Sequence, residues 1–286
     1  MRLSGAARLA GVIGWPVAQA LSPRLHGYWL EELGIDGALV PLAVRAEDFS
    51  RVIDALMLAG FKGVSVTIPH KQAAFALCHD CDRAAQAAGA VNLLIFHDGG
   101  RIEGRNTDAS GLAASLRESL GADALRGKTA VILGAGGAAR AAVVGLDAMG
   151  TTTLHIVNRS RARADELAAS LASQIRAKIV VFDRKDWSKA AKDAALVLNT
   201  TSAGMAHTPS LDIALDPLPK ATVICDIVYN PLETELLKRA RAARLTTLDG
   251  LGMLMHQGVP AFEAFFGATP KVSPALRRCL EEALRP

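Results

Sequence analysis

Short apolar runs alternate with stretches of helical periodicity through the first hundred residues, the rhythm of a mostly parallel α/β sheet. Residues 9–14 read as a strand. Ser22 reads as an N-cap with Pro23 at the first helical position, and the helix runs to about Leu33, where Gly34 stops it. Residues 38–44 form the next apolar run. A helical pattern over 48–59 closes at Gly60, and 63–66 is a further strand. The segments 90–96 and 102–104 read as a hairpin around Asp98-Gly99-Gly100.

The rhythm then repeats. A long helix is expected over about 107–120, and a polar connection follows over 121–128. Residues 129–133 form a strand that runs straight into a glycine-rich turn and a helix. Strands at 153–158, 179–182, 195–199 and 223–226, with a helix at 161–173, complete a second, doubly wound sheet. Beyond Gly250 the pattern is all helical, over 251–266 and 274–284. A chain of 286 residues is comfortable for two domains, and the pattern places them at 1–107 plus 252–286 and at 108–251. The terminal helices are expected to return to the first domain.

The second sheet carries a cofactor signature. Gly134-Ala135-Gly136-Gly137-Ala138-Ala139 follows a strand and opens a helix, which fits GxGxxG/A. The first glycine makes the tight turn, the second lets the backbone approach a pyrophosphate, and small Ala139 permits helix–strand packing. The helix N-terminus favours the phosphate charge. At the end of the next strand an NAD enzyme carries Asp or Glu, but here Asn158 is followed by Arg159. No carboxylate repels a 2′-phosphate there, and Arg159 and Arg163 can donate to one. The expected cofactor is NADP.

Composition narrows the partners. Half of the residues are hydrophobic and 21% are charged, so the chain is globular rather than disordered. Aromatic residues make up only 5%, too few for a stacking platform on single-stranded nucleic acid. The net charge is +4, without the basic stripe of a DNA binder. Basic residues cluster at 159–163, which the cofactor explains, and at 238–244, which reads as a solvated helix face. Cys78 and Cys81 form a CxxC, but Cys225 and Cys279 stand apart and supply no second ligand pair, so no metal is expected. No apolar run approaches the ~20 residues of a membrane span. Arg2 and Arg8 precede an apolar patch and Ala18-Gln19-Ala20 follows it, as in an export signal. The patch is short and broken by Gly11, Gly14 and Trp15-Pro16, so a cytoplasmic chain with reduced thiols is expected. Monomer and homodimer stay equally open.

A reductase needs a proton donor beside the hydride acceptor. Val64-Ser65-Val66-Thr67-Ile68-Pro69-His70-Lys71 ends a strand and places Lys71 at a turn, and Gly104-Arg105-Asn106-Thr107-Asp108 ends another and opens the long helix. Burial and a carboxylate can tune a lysine to acid–base work. Taken alone, these residues fit a surface lysine and an N-cap aspartate equally well.

Together the segments resemble shikimate dehydrogenase over nearly the whole chain. Gly14-Trp15-Pro16-Val17-Ala18-Gln19-Ala20-Leu21-Ser22-Pro23 is similar to that family's GxPxxHSxSP, and VSVTIPHK to its NVTxPxK. GAVN at 89–92, NTD at 106–108, the cofactor loop at 134–140 and NRS at 158–160 follow in order. NTTSAGM at 199–205, DIVYNPLET at 226–234 and DGLGMLMHQG at 249–258 complete the series.

The resemblance implies two α/β domains facing across a cleft and reversible reduction of 3-dehydroshikimate, a small carboxylate, by NADPH. Lys71 would be the acid–base group, with Asp108 binding substrate hydroxyls and orienting it. Ser22 and Tyr229 would hold the carboxylate, and Thr67, Asn92 and Gln257 the ring hydroxyls. Gly134 to Ala138, Asn158, Arg159 and Arg163 would hold NADP, with Ile227 and Gly250 near the nicotinamide.

Five positions depart from the family pattern. Gln19-Ala20 replaces its His-Ser, Ser65 its asparagine, Leu93 its threonine and Ala109 its glycine. A hydrogen bond to a charged group contributes roughly 1.5–3 kcal/mol, so loss of the hydroxyl at position 20 would weaken substrate binding roughly 10- to 150-fold unless Gln19 or a water replaces it. Two alternatives follow: a paralogue acting on quinate or a related cyclohexene or cyclohexane carboxylate, and an NADP(H) sensor without turnover. Retention of Lys71 and Asp108 speaks against the sensor.

Overall fold

The computed structural model describes residues 3–285. Arg2, part of the export-signal reading, lies outside them. In chain order the elements are β1 (Arg8–Gly14), α1 (Ser22–Glu32), β2 (Gly37–Ala43), α2 (Phe49–Leu58), β3 (Gly63–Val66), α3 (Lys71–Leu77), β4 (Asp80–Cys81), α4 (Arg83–Ala88), β5 (Leu93–Phe96) and β6 (Ile102–Arg105). They continue as α5 (Asp108–Leu120), β7 (Thr129–Leu133), α6 (Gly137–Ala148), β8 (Thr153–Asn158), α7 (Arg161–Leu171), β9 (Lys178–Asp183), α8 (Trp187–Ala191) and β10 (Ala194–Asn199). The last are β11 (Val223–Asp226), α9 (Glu235–Ala242), β12 (Thr246–Leu248), α10 (Leu251–Phe266) and α11 (Pro274–Ala283). Two compact units result. Unit 1 runs to Thr107 and resumes at Leu254, and unit 2 is Asp108–Met253.

Unit 1 is built on a six-stranded sheet of order β2-β1-β3-β5-β6-β4. Neighbours β1–β2, β1–β3 and β4–β6 are parallel, while β3–β5 and β5–β6 are antiparallel. The hairpin expected around Asp98-Gly99-Gly100 supplies the antiparallel pair, with Gly99 and Gly100 both at positive φ. One core cluster joins Ile13, Val64, Val66 and Leu94 of the sheet to Phe49, Ile53 and Leu56 of α2. Burying each large apolar side chain of this kind stabilises the unit by about 1.5–3 kcal/mol.

The C-terminal helices belong to this unit, and α11 packs on α1. A Cβ at Gly258 of α10 would sit 2.6 Å from a Leu25 methyl, so a side chain there would have to displace Leu25 where α10 meets α1. Trp29, Phe262, Phe265 and Phe266 fill the space between them, around His26.

Two local expectations need correction. Ser22 is not the N-cap of α1. Leu21 holds that position in helical geometry, and Ser22 is already the first helical residue. The cause lies upstream, where a turn closed by Ala20 N–H to the Val17 carbonyl at 2.9 Å feeds Leu21 into the helix, and Leu21 O accepts from Leu25 N–H at 2.9 Å. Lys71 is likewise not in a turn but opens the helix α3.

Unit 2 has six strands, all parallel, in the order β12-β11-β10-β7-β8-β9. The chain starts at β7, runs outward to β9, returns to β10 beside β7 and runs outward again. That is the doubly wound order with a reversal between β7 and β10, where such sheets take ligands at their C-terminal ends. Val131, Val197 and Ile224 of the sheet pack with Trp187, Leu236 and Leu237 in one core. Among the described residues no helix is long and apolar enough to cross a membrane.

Candidate active site

In unit 1 the strand register gathers the expected substrate residues at one end of the sheet. Strands β1 and β3 run in parallel, with Ile13 opposite Val66, so both end on the same edge. Strand β5 is antiparallel to β3 and to β6, so it begins where both of those end. Thr67 follows β3, Asn92 precedes β5 and Thr107 lies just after β6.

Asn92 is the centre of this group. Its side chain is buried, its Oδ1 accepts from Thr107 N–H at 2.8 Å, and its Nδ2 donates to Thr107 Oγ1 at 3.0 Å and to Gln257 Oε1 at 3.1 Å. Thr107 Oγ1 in turn donates to the Gln257 carbonyl at 3.0 Å. The N–H donor fixes which end of the Asn92 amide is oxygen. The Asn92 carbonyl accepts from Val66 N–H at 2.8 Å and its N–H donates to Arg105 O at 3.0 Å, which ties the side chain to three strands at once. The part of Thr107 in holding Asn92 and Gln257 together appears only in the fold.

Lys71 is positioned through its backbone. Its carbonyl accepts from Val91 N–H at 2.9 Å, and His70 before it is fully packed. The His70 ring stacks on Phe49 with centroids 4.6 Å apart, and its Nε2 donates to Val44 O at 2.8 Å. His70 N–H donates to Thr67 O at 2.9 Å, a turn that leads the chain from Thr67 into Lys71 at the start of α3. Ser22 is buried at the start of α1.

The CxxC has a structural place. Cys78 packs over Gly104, where a Cβ would collide with its sulfur, and burial pushes the Cys78 thiol up to about 12. Among the described residues no group of His, Cys, Asp or Glu is placed to hold a metal ion.

In unit 2 the glycine-rich turn lies at the reversal point. Gly134 has φ +117°, and a Cβ there would stand 2.7 Å from Thr200 Oγ1. Thr200 pins the loop from the other side, since its N–H and Oγ1 both donate to Leu133 O, at 3.0 and 2.7 Å. Gly136 caps α6 and Gly137 starts it, and a Cβ on either would meet nothing within 4 Å. That leaves open space at a helix N-terminus, which suits a pyrophosphate. Ala135 and Ala138 flank these glycines, and Ala139 is fully buried against the sheet. The cradle therefore fits a dinucleotide.

At the end of β8, Asn158 turns its Nδ2 to Ser160 O at 2.9 Å. Arg161 is engaged with Asp165 and Asp183, at 3.1 and 3.4 Å. Arg159 and Arg163 are exposed and, among the described residues, form no ion pair, so both remain available to a 2′-phosphate. At the far side, a Cβ on Gly250 would collide with the Ile227 carbonyl, which keeps that corner glycine. Tyr229 follows on the loop that leaves β11. Asp108 is the first residue of α5 and is buried.

Two family models match the chain. One, for the shikimate dehydrogenase substrate binding domain, covers residues 12–94, and the other, for shikimate / quinate 5-dehydrogenase, covers 116–251. The shikimate dehydrogenase (NADP(+)) of Acidiphilium cryptum is 50% identical over 280 residues, 98% of each chain. A crystal structure of the shikimate 5-dehydrogenase of Thermus thermophilus in complex with NADP(H) and shikimate is 33% identical, with TM-score 0.83 over 97% of this chain and 98% of that one. The quinate dehydrogenase of Corynebacterium glutamicum in complex with NAD is 32% identical, with TM-score 0.87 over 96% of this chain and 99% of that one.

Proposed function

We propose, since the chain belongs to the shikimate dehydrogenase family, that it catalyses the reversible reduction of 3-dehydroshikimate to shikimate with NADP as cofactor. The observation that carries the reading is the pairing of two sites in one chain. Unit 1 presents the Asn92–Thr107–Gln257 hydrogen-bond set beside the Thr67–His70 turn that leads into Lys71, and unit 2 presents an open glycine cradle with two available arginines.

NADPH supplies the hydride when bound. Lys71 gives the proton that the ketone oxygen needs as it becomes a hydroxyl, and takes it back in the reverse direction. Asp108 accepts from a ring hydroxyl. Thr67, Asn92 and Gln257 hold the ring hydroxyls, and Ser22 and Tyr229 hold the carboxylate. Gly134 to Ala138 carry the pyrophosphate, Asn158, Arg159 and Arg163 the phosphorylated ribose, and Ile227 and Gly250 border the nicotinamide. The enzyme acts in the cytoplasm.

Arg159→Ala tests the phosphate reading. It raises the KM for NADP about 10- to 100-fold and leaves that for NAD nearly unchanged, because a charge-assisted bond is lost only where a 2′-phosphate exists. An equal rise for both cofactors would place Arg159 elsewhere.

The quinate relative and Ala20 together favour testing a second substrate. Steady-state rates are measured with shikimate and with quinate, each with NADP and with NAD. The proposal expects shikimate with NADP to give the highest kcat/KM. Turnover of quinate alone would move the chain to the second substrate class, and no turnover with either would reject the enzyme.

A further inference from the structure

Asp226 ends β11 and is wholly buried. Three donors meet its carboxylate. Asn199 Nδ2 donates to Oδ1 at 2.9 Å, Val228 N–H donates to the same oxygen at 3.1 Å, and Thr234 Oγ1 donates to Oδ2 at 2.8 Å. Their directions are fixed by further neighbours. Asn199 Oδ1 accepts from Thr201 N–H at 3.0 Å, so its other end is the amide nitrogen. Thr234 Oγ1 accepts from Leu237 N–H at 3.4 Å at the head of α9, which leaves its proton for Asp226. A surround made of donors suits an ionised carboxylate.

Burial opposes that charge and raises the Asp226 pKa, while the three hydrogen bonds act against the rise. Among the described residues no Lys, Arg or His forms an ion pair with it. A buried anion without a cationic partner is costly. Stability alone does not account for it.

Its place in the sheet supplies a reason. Strands β10 and β11 lie on the opposite side of β7 from β8 and β9. In a sheet of this order each half carries one mononucleotide of the cofactor. The β8 end, with Asn158 and Arg159, takes the adenosine half, so β10 and β11 take the half that bears the nicotinamide. Asp226 stands behind that half, directly before Ile227.

We infer that Asp226 is a buried counter-charge for the oxidised nicotinamide, making this chain hold NADP+ more tightly relative to NADPH than its hydrogen bonds alone would. The inference rests on the reading of unit 2 as the NADP unit. The oxidised ring carries a positive charge that the reduced ring lacks, and transfer of hydride to the ketone creates it. A fixed, desolvated anion would stabilise that charge and so favour the bound oxidised cofactor over the reduced one.

The test is the ratio of the dissociation constants for NADP+ and NADPH, measured by fluorescence titration of the full chain without substrate. In Asp226→Asn the amide oxygen still accepts from Asn199 and Val228 and the amide nitrogen donates to Thr234, so the loop's hydrogen bonds survive and only the charge goes. NADP+ binding weakens about tenfold relative to NADPH, the size expected of one charge acting through protein. Equal weakening of both forms, or no change in either, overturns the inference, because a purely structural residue gives that result. Should the asparagine variant fail to fold, Asn199→Leu combined with Asp226→Leu removes the charge within an apolar pair and gives the same ratio to read. Wild-type chain that binds neither form would remove the NADP reading along with the inference. Wild-type chain that binds both, with an unchanged ratio in the variants, removes the inference alone.

Discussion

Lys71→Ala lowers kcat by about 10²- to 10⁴-fold, the usual contribution of a positioned acid–base group, and leaves NADPH affinity within about twofold of wild type. The two halves of this expectation come from different parts of the chain. Lys71 opens α3 in unit 1, where the Thr67 and Val91 hydrogen bonds and the stacked His70 hold its backbone without help from its side chain. Alanine therefore keeps the helix start and removes the ammonium together with its alkyl stem. The cofactor cradle is built from Gly134, Thr200 and the start of α6 in unit 2, which this substitution does not touch. Steady-state kinetics and a fluorescence titration with NADPH read the two quantities separately. Near-normal turnover would assign the proton to another group. Loss of NADPH affinity alongside kcat would mean that the substitution had damaged the fold.

His26→Leu makes the protein markedly more resistant to acid. His26 is fully buried among Trp29, Phe262, Phe265 and Phe266, its Nδ1 has no hydrogen-bond partner among the described residues, and burial lowers its pKa from 6.5 to about 3. The folded state thus holds the neutral ring, while the unfolded chain takes up a proton below its ordinary value. Protons bind the unfolded state more strongly, so stability is fully present above pH 6.5 and falls as the pH drops towards 3. The loss is about 1.4 kcal/mol per pH unit, or about 2 kcal/mol by pH 5. Leucine has no such proton to bind. Urea denaturation of both proteins between pH 8 and pH 5, roughly the range set by that linkage, gives curves that separate progressively below pH 6.5. Parallel curves would show that His26 binds its proton equally well in the folded and the unfolded protein.

Much of this was legible in the residues because it is local. The strand at 129–133, the turn at Gly134 and the helix behind it are written in consecutive positions, as are the strand ending at Asn158 and the arginine after it. Local signals misled where neighbours outside the segment decide the geometry. Ser22-Pro23 has the chemistry of a helix start, but the turn over Val17 to Ala20 carries helical geometry back to Leu21. Lys71 follows a proline and looks like a turn residue, yet it begins a seven-residue helix whose sequence has no cap to announce it.

The deeper features of the site depend on sheet order. Asn199 and Asp226 are 27 positions apart and meet because β10 and β11 are neighbours. Asn92 and Gln257 are 165 positions apart and meet because α10 ends in unit 1. No periodicity encodes such meetings. The motifs that contain these residues stood out in the sequence, but which atoms they join did not.

The most direct test of the account follows the hydride itself. The purified chain is incubated with 3-dehydroshikimate and NADPH deuterated at both C4 positions, and the product is examined by mass spectrometry and NMR. The expected product is shikimate that carries deuterium on the former ketone carbon. Unlabelled shikimate, or no shikimate at all, would contradict it.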